Sequence, residues 1–424
     1  MLDIKFIREH SEEVKTNCRN RNVGVDIDAF LRLDAERAGI QRETEDLRHR
    51  RNEIAALMQT VSSEQRDGLI GKGKEIKQLL GLREAALAET EGIWMEQMLR
   101  IPNMTHPDAP VSASEEGNRE IRHIGEPVPK ENAKDHVELA KEHDLIDFDR
   151  GAKVAGTKFY YLKGKLALLE LALMRFALDE AMSHGFVPVT TPDLAKDEMI
   201  IGSGFQPRGE ESQIYSIENH DLSLIGTSEI TLGGYHAGEI LAEDQLPIRY
   251  TGLSHCYRTE AGTYGRESYG LYRVHQFSKV EMYVFCAPEQ SEAMHAELVR
   301  AEEALWSKLD IPYRVIDICT GDLGGPAYRK YDIEAWMPGK TAGDTKGAFG
   351  EVTSASNCTD YQARRLNIRM KRRDGSIVHV HTLNGTAIAT SRAMLAILEN
   401  YQKPDGSIDV PKALIPYCGF SKLA

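Results

Sequence analysis

The feature that most constrains this chain is an apolar repeat of seven residues near its start. Leu33, Ile40, Leu47, Ile54 and Val61 recur at that interval. Because an α-helix turns once every 3.6 residues, this spacing places the five side chains along one stripe, as in a coiled coil. The positions that should widen the stripe are partly polar, so the predicted apolar surface is narrow.

A second stretch has the same spacing and predicts a partner helix. It carries Leu80, Leu87, Trp94 and Ile101, and the serines and glycines before it favour a turn. We therefore expect two antiparallel helices of roughly 35 residues, each about 50 Å long at 1.5 Å per residue. The alternative is a pair of helices inside a globular bundle, which the same pattern permits.

Chain length predicts more than one domain. The 424 residues exceed what one hydrophobic core usually holds. We expect a helical arm over 1–104, a linker over 105–135 and a second domain over 136–424. In the second domain many strand-like runs alternate with few helices, which favours a mostly antiparallel sheet flanked by helices and therefore an α+β fold. Residues 338–343 are expected to form a surface loop.

Composition argues against several classes of protein. No run of about 18 apolar residues occurs, and the charged first residues lack a signal-peptide core, so we expect a cytoplasmic protein with no membrane partner. The six cysteines include no Cys-x-x-Cys pair, which argues against a zinc site or a disulfide framework. The net charge of −13 does not favour nucleic-acid binding, but local basic patches decide that interaction.

Two apolar runs joined by a glycine-rich loop form the most informative block. Residues 248–260 and 271–286 are predicted as paired strands, and long loops in compact domains are usually functional. Side chains alternate along a strand, so one face should carry His275, Phe277, Lys279 and Glu281, and the other Val274, Val280, Met282 and Val284. The mixed aromatic and charged face predicts a ligand-binding floor, with a solvated sheet face as the alternative.

Short motifs follow one another along nearly the whole chain. They occupy residues 1–8, Pro192, 226–229, 256–262, 265–267, 274–281, 319–324, 351–357, 362–365, 382–386, Arg392 and 398–402. In this order they resemble the seryl-tRNA synthetases, a class II aminoacyl-tRNA synthetase family. Each motif alone is weak evidence, whereas the joint order is specific.

The resemblance implies a two-step reaction. The carboxylate of L-serine attacks the α-phosphate of ATP to give seryl-adenylate and pyrophosphate, and a terminal ribose hydroxyl of the tRNA then attacks the adenylate carbonyl. Positioning and charge neutralisation supply most of the acceleration of the first step. The implied participants are ATP, Mg²⁺ and tRNA(Ser), with tRNA(Sec) as a further candidate, and the implied assembly is a homodimer.

The resemblance also implies residue roles in ATP binding. Arg258 should neutralise the α-phosphate and Arg392 the γ-phosphate, because a guanidinium makes paired hydrogen bonds to oxyanions. Phe277 should stack on adenine. The implied ATP-binding set is Arg258, Thr259, Glu260, Val274, Phe277, Glu351, Val352, Thr353, Ser354 and Arg392. Glu351 and Ser354 are the implied Mg²⁺ ligands, since oxygen donors suit this ion.

A second implied set surrounds serine. It consists of Thr227, Ser228, Glu229, Arg258, Glu281, Asn384 and Thr386. Glu229 and Glu281 should divide the ammonium and hydroxyl groups of serine between them, and a hydrogen-bonded hydroxyl would discriminate against alanine. The candidates for tRNA contact are Tyr264 and Arg266 at the acceptor end, and Arg37, Arg42, Arg48, Arg50 and Arg51 on the arm, where solvated helix flanks are the alternative.

The sequence leaves two other functions open. A relative that loads an amino acid onto a carrier other than tRNA would typically lack the helical arm, which this chain has. A non-catalytic RNA-binding relative would lack Arg258, Arg392 or Glu351, and all three are present. At Ser228 and Thr386 the chain differs from the residues that are common in bacterial members of the family. These differences affect the expected shape of the serine pocket.

Overall fold

The computed structural model describes residues 1–130, 133–205, 213–261, 270–342 and 345–424. They form two compact units, Met1–Pro102 and Asn103–Ala424.

The helices are α1 (Ile4–Glu9), α2 (Ser11–Asn20), α3 (Ile27–Leu57), α4 (Ser63–Arg100), α5 (His136–Glu142), α6 (Phe148–Ala155), α7 (Gly164–Ser183), α8 (Asp197–Ser203), α9 (Glu229–Gly234), α10 (Ser291–Lys308), α11 (Tyr361–Leu366), α12 (Thr390–Tyr401) and α13 (Ile415–Cys418). The strands are β1 (Arg119–Ile124), β2 (Ile146–Asp147), β3 (Tyr161–Leu162), β4 (Val187–Thr190), β5 (Leu194–Ala195), β6 (Ser223–Leu224), β7 (Ile240–Ala242), β8 (Ile248–Tyr257), β9 (Gln276–Cys286), β10 (Tyr313–Asp317), β11 (Arg329–Ala342), β12 (Thr345–Asn357), β13 (Arg369–Lys371), β14 (Ile377–His379) and β15 (His381–Ala389).

The first unit is dominated by the long helices α3 and α4, which run antiparallel. Phe30 packs against Trp94, and Arg48 pairs with Glu84. Residue numbers on α4 therefore decrease along the contact as those on α3 increase, which defines an antiparallel pair. The predicted helical hairpin is confirmed. The turn is shorter than predicted, however, because the glycines expected to form it lie inside α4. Each of these glycines costs the helix roughly 1 kcal/mol relative to alanine.

A buried carboxylate joins three parts of the first unit. Asp34 is 2% exposed and accepts hydrogen bonds from Arg8 at 2.7 Å, Trp94 at 3.0 Å and Arg37 at 3.4 Å. The Arg37 guanidinium also lies 4.7 Å from the centre of the Trp94 ring. Arg37 is therefore engaged in packing. Arg48, another arginine suggested for tRNA contact, is half exposed.

The second unit is built on an eight-stranded sheet. Its order is β1-β10-β11-β12-β15-β9-β8-β4, and all neighbours are antiparallel except β4 and β8. The α+β fold with a mostly antiparallel sheet is thus confirmed. Smaller sheets have the orders β14-β13-β7, β2-β3 and β5-β6. Among the described residues, no helix is long and apolar enough to span a bilayer.

Two segments differ from the sequence expectations. Residues 105–135 were expected to form a linker, yet they contribute β1 to the edge of the large sheet. Nearly every β1 side chain is exposed, so no apolar alternation marks the strand in the sequence. Residues 338–342, expected in a surface loop, belong to β11 instead.

The two faces of the sheet differ in chemistry, as the alternation along β9 predicts. Val280, Met282 and Val284 are buried in the main core together with residues of α7, α10 and α12. Lys279 and Glu281 project from the other face. Because β9 begins at Gln276, Val274 precedes the strand and does not follow its alternation.

Candidate functional site

A cleft lies over the polar face of the sheet, beside the first turn of α12. Its empty volume, including the open mouth, is about 480 Å³. The predicted site residues that line it are Arg258, Glu260, Val274, Phe277, Glu351, Val352, Thr353, Thr386 and Arg392. The fold therefore brings together residues as far apart in sequence as β8 and α12.

Arg258 is oriented by contacts on both sides. It follows β8 directly, and its backbone N–H donates to the carbonyl of His275 at 3.0 Å. Its Nε donates to the carbonyl of Gly226 at 3.3 Å, and its guanidinium lies 5.4 Å from the centre of the Phe277 ring. Within the described residues its Nη groups make no hydrogen bond, so they are available to an oxyanion in the cleft.

Arg392 extends into the cleft from the first turn of α12. Its Nη1 donates to the backbone carbonyl of Glu351 at 3.0 Å and pairs with the carboxylate of the same residue at 3.1 Å. The guanidinium also lies 4.8 Å from the centre of the Tyr272 ring. Burial would raise the pKa of Glu351, but Arg392, Lys330 and Arg258 together lower it below the usual range. Glu351 is therefore ionised at neutral pH.

The predicted metal ligands lie on adjacent parts of β12, but only Glu351 lines the cleft. Ser354 hydrogen-bonds to Asp332 on the neighbouring β11. Burial raises the pKa of Asp332, which Lys330 at 3.0 Å opposes. Among the described residues no three acidic, histidine or cysteine side chains cluster in a way that would hold a metal ion. Bound Mg²⁺ would need further oxygen ligands from phosphate or water, as is usual for this ion.

A buried polar cluster on β9 and β15 lies beside the cleft. Lys279 Nζ is 2.5 Å from Glu281 Oε2, and the Thr386 hydroxyl donates to that same oxygen at 3.1 Å. On α9, Glu229 Oε1 accepts a hydrogen bond from Asn384 at 2.9 Å. The predicted Glu229, Glu281, Asn384 and Thr386 therefore belong to one connected region.

The two carboxylates of this region have different electrostatic surroundings. Glu281 is in contact with Lys279, whereas Glu229 has no cation in contact among the described residues. Burial, together with the charge of Glu281, raises the pKa of Glu229 to about 7. Glu229 is thus a carboxyl group whose charge changes near neutral pH.

Three further predicted residues do not line the cleft. Ser228 donates its hydroxyl to the carbonyl of Gly252 at 3.2 Å, which holds α9 against β8. Thr227 is buried and accepts a hydrogen bond from the backbone N–H of Glu229 at 3.2 Å. Thr259 does not line the cleft either. The side chains of Ser228 and Thr227 therefore position α9.

Sequence reasoning missed several cleft residues, including Tyr272, Arg273 and Ser391. Tyr272 lies near two cations, with Lys340 Nζ 4.7 Å and the Arg392 guanidinium 4.8 Å from its ring centre. No motif spacing relates Tyr272 to Lys340 and Arg392. The segment before β9, strand β11 and helix α12, which carry these residues, meet only in the folded chain. The predicted Tyr264 and Arg266 lie outside the described residues.

Comparison with known proteins identifies one family along the chain. The seryl-tRNA synthetase N-terminal domain matches residues 1–105, and the tRNA synthetase class II core domain (G, H, P, S and T) matches residues 213–401. Serine–tRNA ligase from Rubrobacter xylanophilus is 55% identical over 99% of this chain and 98% of the relative, and that from Treponema denticola is 53% identical over 100% of both. The crystal structure of seryl-tRNA synthetase from Pyrococcus horikoshii, complexed with ATP, has a TM-score of 0.89 and 43% identity, and covers 100% of this chain and 99% of that one.

The buried pair of Lys279 and Glu281 makes a prediction about stability. Their side chains are 7% and 2% exposed, so removing the lysine leaves a carboxylate buried without its cation. We expect Lys279→Met to lower the free energy of unfolding by about 3–5 kcal/mol, measured by urea denaturation. As a control, Lys134→Met removes an ion pair with Glu142 whose side chains are 46% and 43% exposed, and should lower the free energy of unfolding far less. Equal losses in the two variants would contradict the role of burial.

Proposed function

Because this chain belongs to the seryl-tRNA synthetase family, we propose that it activates L-serine with ATP and transfers the seryl group to tRNA(Ser). The observation that carries the proposal is the convergence of Arg258, Arg392 and Glu351 on one cleft. Two guanidiniums and an ionised carboxylate in one cleft suit a triphosphate that binds with a divalent cation.

The first step is a displacement at the α-phosphate, in which the serine carboxylate attacks and pyrophosphate leaves. Arg258 neutralises the charge shared by the attacking carboxylate and the α-phosphate, since its Nη groups face the cleft. Arg392 binds the γ-phosphate at the other end, and Phe277 packs on the adenine ring. The arginines act by positioning and charge neutralisation, with no covalent intermediate on the protein.

Mg²⁺ is the further component that we propose for this step. Glu351 would hold it directly, with Ser354 as a second oxygen donor, and the ion would supply additional positive charge to the phosphates. Since Glu351 stays ionised at neutral pH, it can ligate the cation without first losing a proton. Arg392 pairs with the same carboxylate, so binding of Mg²⁺ by Glu351 would require the arginine to exchange that partner for phosphate oxygen.

Serine is proposed to bind in the cluster beside the cleft. Its hydroxyl would meet Glu281 and Thr386, which already share a hydrogen bond and can exchange it for one to the ligand. Its ammonium would lie toward Glu229, the carboxylate that has no contacting cation among the described residues. Alanine lacks the hydroxyl and would make no hydrogen bond to Glu281 or Thr386, which disfavours its binding relative to serine.

The helical hairpin within 1–104 is proposed to bind the long variable arm of tRNA(Ser), and residues 136–424 to carry the aminoacylation site. Exposed arginines such as Arg48 and Arg50 suit phosphate contacts, which position a nucleic acid without reading its bases. Arg37 is a weaker candidate because it packs on Trp94. tRNA(Sec) is a further candidate substrate. A cytoplasmic location fits a protein that charges tRNA.

We further propose that the chain forms a homodimer through the edge of the sheet that carries β4. Among the described residues β4 pairs only with β8, which leaves its other edge open. Val187 on β4 is 56% exposed, and Leu168 and Leu171 on α7 are 51% and 59% exposed. An open strand edge beside exposed apolar side chains is typical of a surface that another chain covers.

Pyrophosphate exchange tests the activation step. With ATP, Mg²⁺ and labelled pyrophosphate, we expect serine alone among the amino acids to drive exchange, and we expect added tRNA(Ser) to become charged. Arg258→Ala should lower exchange at least about 100-fold, because positioned charge at the reacting phosphate is lost, while the urea midpoint stays close to wild type. Arg150→Ala, which removes a largely exposed arginine, is the control. Adenylate formation without tRNA charging would favour a carrier-loading enzyme, and absence of exchange with any amino acid would favour a non-catalytic protein.

The raised pKa of Glu229 predicts a pH dependence of serine binding. The carboxylate form accepts the ammonium of serine, and it is lost as the pH falls through about 7. We therefore expect the KM for serine to rise about fivefold to tenfold between pH 8 and pH 6. In Glu229→Gln the KM should already be high at pH 8 and change little over this range. Parallel pH profiles in the two proteins would rule out this role for Glu229.

Sedimentation measures the proposed assembly. Wild type should sediment with twice the mass of the 424-residue chain, and Leu171→Asp should shift it toward the mass of one chain, because a charge would be buried at the interface. Ile377→Asp is the control, since Ile377 on β14 is similarly exposed at 50%. A monomeric wild type, or an unchanged dimer in Leu171→Asp, would contradict this interface.

A further inference from the structure

A buried amide lies directly behind Glu229, and the mechanism above gives it no role. Gln362, in the first turn of α11, is 0% exposed. Its Nε2 donates to Glu229 Oε1 at 2.7 Å and to the carbonyl of Ser203 at 3.0 Å. Its Oε1 accepts hydrogen bonds from the hydroxyls of Tyr283 at 2.9 Å and Thr382 at 2.8 Å. The amide therefore has four partners, two for each terminal atom.

These partners allow the amide only one orientation. If it were flipped, Oε1 would face the carbonyl oxygen of Ser203 and the carboxylate of Glu229, and neither of those atoms can donate to it when Glu229 is ionised. In the observed orientation every polar atom of the side chain is satisfied. Gln362 is thus a rigid donor to Glu229, and its orientation is fixed from the far side by two hydroxyl groups.

Local packing makes room for this arrangement. Gly233 lies on α9, the same short helix that carries Glu229. A Cβ atom at this position would lie 2.9 Å from the hydroxyl oxygen of Tyr283, closer than such contacts normally approach. Glycine at 233 therefore lets the Tyr283 hydroxyl reach Gln362 while α9 stays packed against β9.

The hydrogen bonds to Glu229 are not shared equally between its two oxygens. Oε1 receives N–H donors from both Gln362 and Asn384, whereas Oε2 receives no hydrogen bond from the described residues. With Oε1 fixed by two donors, rotation of the carboxylate is restrained and Oε2 is left for a ligand. Hydrogen bonds to an ionised group are stronger than those between neutral groups, which makes this restraint substantial.

We propose that Gln362 is a positioning residue for serine recognition, which holds Glu229 Oε1 so that Oε2 faces the ammonium of the bound amino acid. Tyr283 and Thr382 act one step further away, since they fix the amide that fixes the carboxylate. This inference rests on the proposed function, because it assumes that serine is the amino acid bound at Glu229. It adds a residue that would shape the pocket without touching the substrate.

Two variants test the proposal by pyrophosphate exchange with wild-type protein as the reference. Gln362→Met removes the donor to Glu229 at nearly constant volume, and should raise the KM for serine at least about tenfold. Tyr283→Phe removes only a hydroxyl that orients the amide, and should raise it by a smaller factor, about threefold or more. In both variants the KM for ATP should stay within about twofold of wild type, because the four described partners of Gln362 include none of the predicted ATP-binding residues.

A matched control separates positioning from a general loss of stability. Tyr313 is also a buried tyrosine, and its hydroxyl hydrogen-bonds to Ser307 rather than to this network. Tyr313→Phe should lower the urea midpoint about as much as Tyr283→Phe and leave the KM for serine unchanged. If Gln362→Met fails to fold, the comparison of the two tyrosine variants still decides the question.

The outcomes distinguish this inference from the proposed function. An unchanged KM for serine in Tyr283→Phe, or a rise equal to that for ATP, would overturn the positioning role while leaving serine activation intact. A rise confined to serine supports it. Wild-type protein that shows no serine-dependent exchange would overturn the proposed function itself.

Discussion

The cleft depends on charge compensation across one face of the sheet. Lys279 pairs with Glu281, Lys330 with Asp332 and Arg392 with Glu351. A lone ionised group at these positions would cost several kcal/mol, whereas a paired one can remain charged. Serine has an ammonium and a carboxylate group, and ATP has negatively charged phosphates. Each charged group can therefore take the place of one partner in an existing ion pair, and binding need not create a new buried charge. The compensated pairs therefore let a folded domain keep strong cations and anions ready for exchange.

The position of these charges depends in turn on the register of β9. Its two neighbours, β8 and β15, pair with it over most of its length. The alternation places Lys279 and Glu281 on the polar face of the sheet and Val280 and Met282 in the core. A shift of one residue would put the charges into the core and the apolar side chains into the cleft. The helices α7, α10 and α12, which cover the apolar face, thus help to determine which side chains face the ligands.

The sequence predicts those parts of the architecture in which apolar residues repeat over a short interval along the chain. The heptad spacing predicts the antiparallel helices, and the alternation predicts which face of β9 is polar. Strand β1 could not be predicted in this way because nearly all its side chains are exposed. Gln362 belongs to a recognisable motif, but its contact with Glu229 spans 133 positions, and no local period encodes such a distance. The same holds for Tyr272 beside Lys340 and Arg392.

The two arginines of the cleft are held by the same combination of contacts. Arg258 donates to the carbonyl of Gly226 and lies over Phe277, and Arg392 donates to the carbonyl of Glu351 and lies over Tyr272. A backbone acceptor and an aromatic ring restrict a long, flexible side chain without using all five of its N–H donors. Since the guanidiniums are oriented before a ligand arrives, little of the electrostatic stabilisation is lost to reorganisation during the reaction. Under the proposed mechanism, such preorganisation lets the site accelerate transfer without a covalent bond to its substrates.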